Sequence, residues 1–172
     1  MVEIHTERFL LRELELKDVT ERYLSWLHDT KAKQFIAFVD KEKDISDLKK
    51  YVQSRIGRDD ILFLGIFEKA TQLHIGNIKF EPVDSALGYA IMGMLIGDPD
   101  YRGIGVAAEV LRTSAQWLQK YRQVSQIVLG VSLDNPEAIR AYEKVGFVKN
   151  VTEFIPHVPP DAITMIWKLE GI

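Results

Sequence analysis

From Gly88 to Tyr121 the chain reads GYAIMGMLIGDPDYRGIGVAAEVLRTSAQWLQKY. It passes from an apolar strand through a polar turn and a glycine-spaced loop into a long amphipathic helix. The loop, Arg102-Gly103-Ile104-Gly105-Val106-Ala107, opens directly into that helix. A helix start presents backbone N–H groups that have no intrahelical partner, at the positive end of the helix dipole. That combination suits a phosphate-like anion. Gly103 and Gly105 carry no Cβ, so a ligand can approach the main chain closely there. The alternative is a plain glycine turn before a packed helix.

The rest of the chain supplies strands and helices for one domain. Arg8–Leu14 reads as a first strand. Lys17–His28 carries Val19, Tyr23, Trp26 and Leu27 at roughly helical spacing. Gln34–Val39 is an apolar island of open assignment. Ser46–Ile56 reads as a second helix on Leu48, Val52 and Ile56, ended by Gly57. Ile61–Glu68 and His74–Glu81 are expected strands joined by a turn at Glu68–Gln72, and Ser85–Gly97 contains a fourth strand. In the helix Val106–Tyr121, residues Ala107, Val110, Leu111, Ser114, Leu118 and Tyr121 share one expected buried face. Gln126–Leu133 is a β-branched fifth strand. Asn135-Pro136 then caps and starts a helix that ends near Val145, with Gly146 as its cap. Phe147–Phe154 and Ile163–Leu169 complete the strands. The order predicts an α/β (α+β) domain spanning 1–172, a central mixed sheet flanked by helices.

Composition excludes several classes. A net charge of -3 with scattered basic residues gives no electrostatic case for nucleic acid. The absence of cysteine removes disulfides, thiolate metal sites and a cysteine nucleophile. No stretch approaches the ~20 apolar residues of a membrane span, and no signal peptide is visible at MVEIHTERFLL. The expectation is a cytoplasmic protein, a monomer or homodimer, with no membrane partner. His5, His28, His74 and His157 show no metal-ligand spacing, so no metal is expected.

Three phosphate-binding patterns compete for the loop. A P-loop is excluded because no Gly-Lys-Ser/Thr follows. Gly103–Ala108 formally matches the dinucleotide pattern G-x-G-x-x-A. That pattern needs its first glycine at the strand end, and Asp98–Arg102 intervene here. The third pattern, Arg/Gln-x-x-Gly-x-Gly/Ala, is met by Arg102, Gly105 and Ala107 after an apolar strand. On these residues the chain resembles the GNAT acetyltransferases. A second segment agrees: Asn135, Ala138, Tyr142, Gly146 and Phe147 match N-x-x-A-x-x-x-Y-x-x-x-G-F. The opening Thr6–Arg12, with Trp26-Leu27, is similar to the branch that acetylates ribosomal-protein N-termini.

The resemblance implies a sheet splayed between the fourth and fifth strands, acetyl-CoA as cosubstrate, and transfer to an amine by direct attack. It places the pyrophosphate on the amides of Gly103, Ile104, Gly105, Val106, Ala107 and Ala108, next to Arg102. Pantetheine would pair with the strand edge at Leu95, Ile96 and Gly97, a form of β-augmentation. An amide near Leu95 would stabilise the oxyanion. Tyr142 would protonate the departing thiolate, unless it only packs the helix. Asn135 caps the helix and can also contact pantetheine.

The base and the acceptor are less determined. Many relatives carry a glutamate where this chain has Ile91. Glu81 acting through water, loss of the proton to solvent, or an acceptor of low pKa are the remaining routes. Trp26, His28 and Glu81, with Phe35, Phe38 and His157, are candidate acceptor-side residues. A peptide N-terminus is favoured by the resemblance. The alternatives are an amino sugar, free or nucleotide-linked, a polyamine, an aminoglycoside or another small amine. A CoA-binding sensor or subunit without chemistry is the reading from another class.

Overall fold

The computed structural model describes residues 2–29 and 44–170. The strands are β1 (Glu3–His5), β2 (Phe9–Glu13), β3 (Leu62–Glu68), β4 (His74–Asp84), β5 (Tyr89–Ile96), β6 (Gln126–Ser132), β7 (Val148–Lys149) and β8 (Ala162–Lys168). The helices are α1 (Glu21–His28), α2 (Ile45–Gln53), α3 (Val106–Arg122) and α4 (Pro136–Val145). Among the described residues they build an eight-stranded sheet in the order β1-β2-β3-β4-β5-β6-β8-β7. Every neighbouring pair is antiparallel except β5–β6, which is parallel.

Strand alternation sends successive side chains to opposite faces, and each face is covered. Ile78 and Phe80 of β4 join Val110, Leu111 and Leu118 of α3 and Ile127 of β6 in one core layer. Tyr23, Trp26 and Leu27 of α1 pack with Leu48 and Val52 of α2 and Phe67 of β3 in the other. Fully burying each such side chain contributes roughly 1.5–3 kcal/mol.

Side chains fix the helix starts. Thr20 accepts from the Tyr23 N–H at 3.3 Å, Asp44 from Asp47 at 3.0 Å and Asn135 from Ala138 at 3.2 Å. Each cap of this kind is worth ~1 kcal/mol. The expected helix over 17–28 is therefore split. Leu16–Asp18 is a 3-10 turn, with Asp18 held by Arg12, and Thr20 then starts α1.

Other expectations are corrected. The short β1 was not foreseen. α2 ends at Gln53, and Ile56 lies 46% exposed beyond it. On α3 the buried face includes Val106 and Ala115, while Tyr121 is 57% exposed. Strand Phe147–Phe154 shrinks to Val148–Lys149, because the chain then turns away and Phe154 stacks on Tyr89 at 3.8 Å between ring centroids. The apolar island Gln34–Val39 lies outside the described residues.

Two features position the site. β5 pairs with β6 only through Ile91↔Val128, although β5 continues to Ile96. The sheet therefore opens between β5 and β6, as the splay between the fourth and fifth expected strands requires. α3 begins just past the end of β5, across the 3-10 turn Pro99–Tyr101.

Candidate active site

The glycine loop runs through left-handed backbone that no neighbouring side chain crowds. Gly103 and Gly105 have φ of +74° and +81°. Left-handed backbone of this kind costs an ordinary L-residue roughly 1–2 kcal/mol. A Cβ at Gly103 would meet nothing within 4 Å, so crowding does not explain the glycine. Gly105 is the N-cap of α3 and offers no side-chain cap. The N–H groups of Val106, Ala107 and Ala108 form the first helical turn and so lack intrahelical acceptors.

Two arginines flank this loop in different ways. Arg102 donates to the carbonyls of Ile96 and Gly97 at 2.9 Å each and pairs with Asp29 at 3.2 Å. Its guanidinium thus pins the end of β5 to the end of α1. Arg8, which the motif reading passed over, brings its side chain to the loop from the turn after β1. Its Nη2 is 3.8 Å from the Cβ position of Gly105. Glu109 orients it, accepting from the Arg8 backbone N–H and Nε at 2.7 Å each and from Thr6 Oγ1 at 2.6 Å. Burial would raise the Glu109 carboxyl pKa, but these hydrogen bonds outweigh it and hold it below its ordinary value. The signal for this pair was present in the Thr6-x-Arg8 opening, without a partner to attach it to.

The open edge of β5 is not the one expected. Gly97 donates its N–H to the Ile75 carbonyl of the preceding chain. The β4–β5 register runs without a shift through Ile78↔Met94, Asn77↔Leu95 and Gly76↔Ile96. Main-chain groups alternate along an antiparallel ladder, so Leu95 faces β4 as Gly97 does. A Cβ on Gly76 would strike the Leu95 carbonyl oxygen, in agreement. Of the trio Leu95, Ile96 and Gly97, only Ile96 turns its main chain to the opening, joined by Met94. The oxyanion role assigned to the Leu95 amide is therefore corrected: its N–H is directed at the neighbouring strand.

Tyr142 and Asn135 lie where α4 borders the core. Tyr142 packs on Phe147 with ring centroids 5.7 Å apart. Burial alone pushes its phenol up to about 12. It therefore carries its proton across the physiological range. Asn135 uses its side-chain oxygen as the α4 cap.

The face of β5 opposite α3 is the one on which the candidate acceptor-side residue Glu81 of β4 lies near its charged neighbours. Ile91, Gly93 and Leu95 share it by alternation. Gly93 and Gly130 are exposed, and a Cβ on either would meet nothing within 4 Å. Lys79 lies directly across the ladder from Gly93. Its Nζ reaches Glu81 at 2.6 Å and Tyr51 Oη at 2.7 Å. Arg55 also donates to Glu81, at 3.0 Å, and lies over the Tyr51 ring at 3.7 Å. Burial would raise the Glu81 carboxyl pKa, but Lys79 and then Arg55 outweigh it and hold it below its ordinary value. Glu81 is thus a poor proton acceptor, which weakens its expected role as a base through water.

The remaining acceptor-side residues separate. Trp26 is buried at 6% and covers Gly97, where a Cβ would overlap the indole. It shapes the end of β5 rather than an open wall. His28 and His157 are exposed. Phe35 and Phe38 lie outside the described residues. His74 stacks on Phe67 at 4.7 Å and bonds Asn77 Oδ1 at 2.8 Å. Among the described residues, no group of three or more His, Cys, Asp or Glu is placed to hold a metal ion. No helix among them is long and apolar enough to cross a membrane.

Comparison with known proteins identifies the family and the fold. A family profile described as acetyltransferase (GNAT) domain matches residues 8–148. Solved structures show the same fold. A GNAT-family acetyltransferase from Bacillus anthracis superposes with a TM-score of 0.80 at 19% identity, over 97% of this chain and 98% of that one. The microcin C7 self-immunity acetyltransferase, solved with acetyl-CoA and AMP, gives 0.78 at 18%, over 95% and 93%. Spermidine N-acetyltransferase from Vibrio cholerae, solved with CoA and spermine, gives 0.75 at 20%, over 94% and 95%.

Proposed function

The chain belongs to the GNAT acetyltransferase family, and we propose that it moves an acetyl group from acetyl-CoA to a primary amine by direct attack. The side-chain-free N-cap at Gly105 carries this reading. It leaves the first amides of α3 unclaimed, next to the strand edge where the sheet opens.

The backbone N–H groups from Gly103 to Ala108 would hold the pyrophosphate, with the outer guanidinium edge of Arg8 beside them. The main chain of Met94 and the N–H of Ile96, whose carbonyl Arg102 already engages, would pair with the amides of pantetheine. Acetyl-CoA supplies the acyl group as a thioester. An N–H on this edge would donate to the carbonyl oxygen as negative charge builds there, a contribution of ~3 kcal/mol for one such donor. Tyr142 would give its proton to the departing thiolate while the attacking amine loses one. A thiol has a pKa of about 8.5 and this phenol one of about 12, so the phenolate left by the transfer would at once regain a proton through solvent, balancing the one released by the amine.

Two acceptor classes are supported by different features. The opening Thr6–Arg12 favours a peptide N-terminus, whose α-amine has a pKa of about 7.7–8.0 and needs little help to lose its proton. This suits a site with Ile91 in place of a carboxylate. The Lys79–Arg55 wall favours a small amine that also bears negative charge. Thiol release from acetyl-CoA across a panel of peptide and small-molecule amines tests the enzymatic reading. Turnover with any amine supports it. CoA binding without thiol release across the panel would support a CoA-binding sensor instead.

A further inference from the structure

Resting on the acetyltransferase reading above, we infer that the acceptor amine carries its own phosphate or carboxylate, held by Lys79 and Arg55 over the open floor at Gly93. Among the described residues, two cations share the single carboxylate of Glu81, which leaves the group one positive charge in surplus. The group is partly buried: the side chains of Arg55, Lys79 and Glu81 are 20%, 26% and 27% exposed. A surface lysine would be free to turn into water. Here Tyr51 Oη accepts from Lys79 and the Tyr51 ring lies under Arg55, which keeps both cations against the sheet.

The position of the surplus gives it a ligand. Lys79 is the cross-strand partner of Gly93, and cross-strand Cα atoms are about 4.5–5.5 Å apart. Gly93 is exposed, with open space where its side chain would be, and so is Gly130 across the split. The charged border of the floor, on β4 and just past the end of α2, is Lys79, Arg55 and Glu81. Arginine and lysine recognise phosphate and carboxylate through charge-assisted hydrogen bonds. A polyamine, with a further ammonium in the same place, would meet like charge.

The test separates binding from chemistry. Binding is measured by calorimetry with the protein saturated with CoA, using matched pairs: glucosamine against glucosamine 6-phosphate, and glycinamide against glycine. Spermidine is the cationic control. The expected result is that the anionic member of at least one pair binds about tenfold tighter or better, and that Lys79→Gln removes the difference. Arg55→Gln likewise brings the group to zero net charge and serves if Lys79→Gln fails to fold; CoA binding reports folding in both. The pair that responds tells phosphate from carboxylate. Equal or tighter binding of the neutral members or of spermidine, no discrimination within either pair, or a preference that survives in the variants would overturn the inference. Thiol release, followed in parallel, reports on acetyl transfer itself, so loss of that reading is seen independently of the charge preference.

Discussion

Arg8 Nη2 lies 3.8 Å from the point where a Cβ on Gly105 would stand. The relationship joins the turn after β1 to the N-terminus of α3. Glu109 in the first turn of α3 suits the helix dipole but would repel a phosphate. Arg8 offsets that charge and leaves its outer nitrogens facing the loop. Arg8→Met is expected to weaken CoA about tenfold in equilibrium binding, the scale of one charge-assisted contact. Arg8→Lys should recover only part of this, because lysine cannot both engage Glu109 and reach the loop. Unchanged CoA affinity in Arg8→Met would limit Arg8 to anchoring Glu109.

Gly105 has φ of +81° with room for a side chain. Gly105→Ala should destabilise the fold by roughly 1–2 kcal/mol from backbone strain alone, read by chemical denaturation. Gly105→Glu adds a negative side chain at the mouth of the loop and should abolish CoA binding while the protein stays folded. Retained binding in that variant would remove the phosphate assignment.

Tyr142→Phe should lower turnover by roughly 10- to 10⁴-fold, a span that extends below the usual range for acid catalysis, while CoA affinity holds. Burial keeps the phenol protonated up to about 12. The wild-type rate should therefore show no alkaline decline from this group up to pH 10. A decline near pH 9 that vanishes in Tyr142→Phe would contradict the environment described.

His74 is half-buried against Phe67 and Trp26, and desolvation lowers its pKa below 6.5 despite the bond to Asn77. As pH falls through 6.5 the unfolded chain takes up this proton before the folded one does. Stability that is present above about pH 6.5 is therefore lost as pH drops through that value towards the folded pKa. Thermal unfolding between pH 7 and 5 should show a steeper fall in Tm for the wild type than for His74→Phe. Parallel curves would show that His74 does not contribute.

What the sequence displayed was mostly local. Asn135-Pro136 announced the α4 cap, and Gly103 and Gly105 announced the loop, because a cap or a positive φ constrains residue type at one position. What it hid depends on pairing partners. Arg8 and Glu109 are 101 residues apart and meet only once β2 lies beside α3. Arg55 and Glu81 meet only when α2 settles on β4. Whether Leu95 or Ile96 faces the opening is set by the β4–β5 register, and a single-residue change in that register reverses it. The three-residue β1 has too few positions to show an alternation, and its strand character comes from pairing with β2.

The central claim is that main-chain nitrogens at the start of α3 hold the pyrophosphate of acetyl-CoA. A crystal structure of the protein with acetyl-CoA tests it most directly. The account predicts pyrophosphate oxygens within hydrogen-bond distance of backbone N–H groups between Gly103 and Ala108, with the thioester entering the opening between β5 and β6. Pyrophosphate bound elsewhere, with those amides facing solvent, would contradict it.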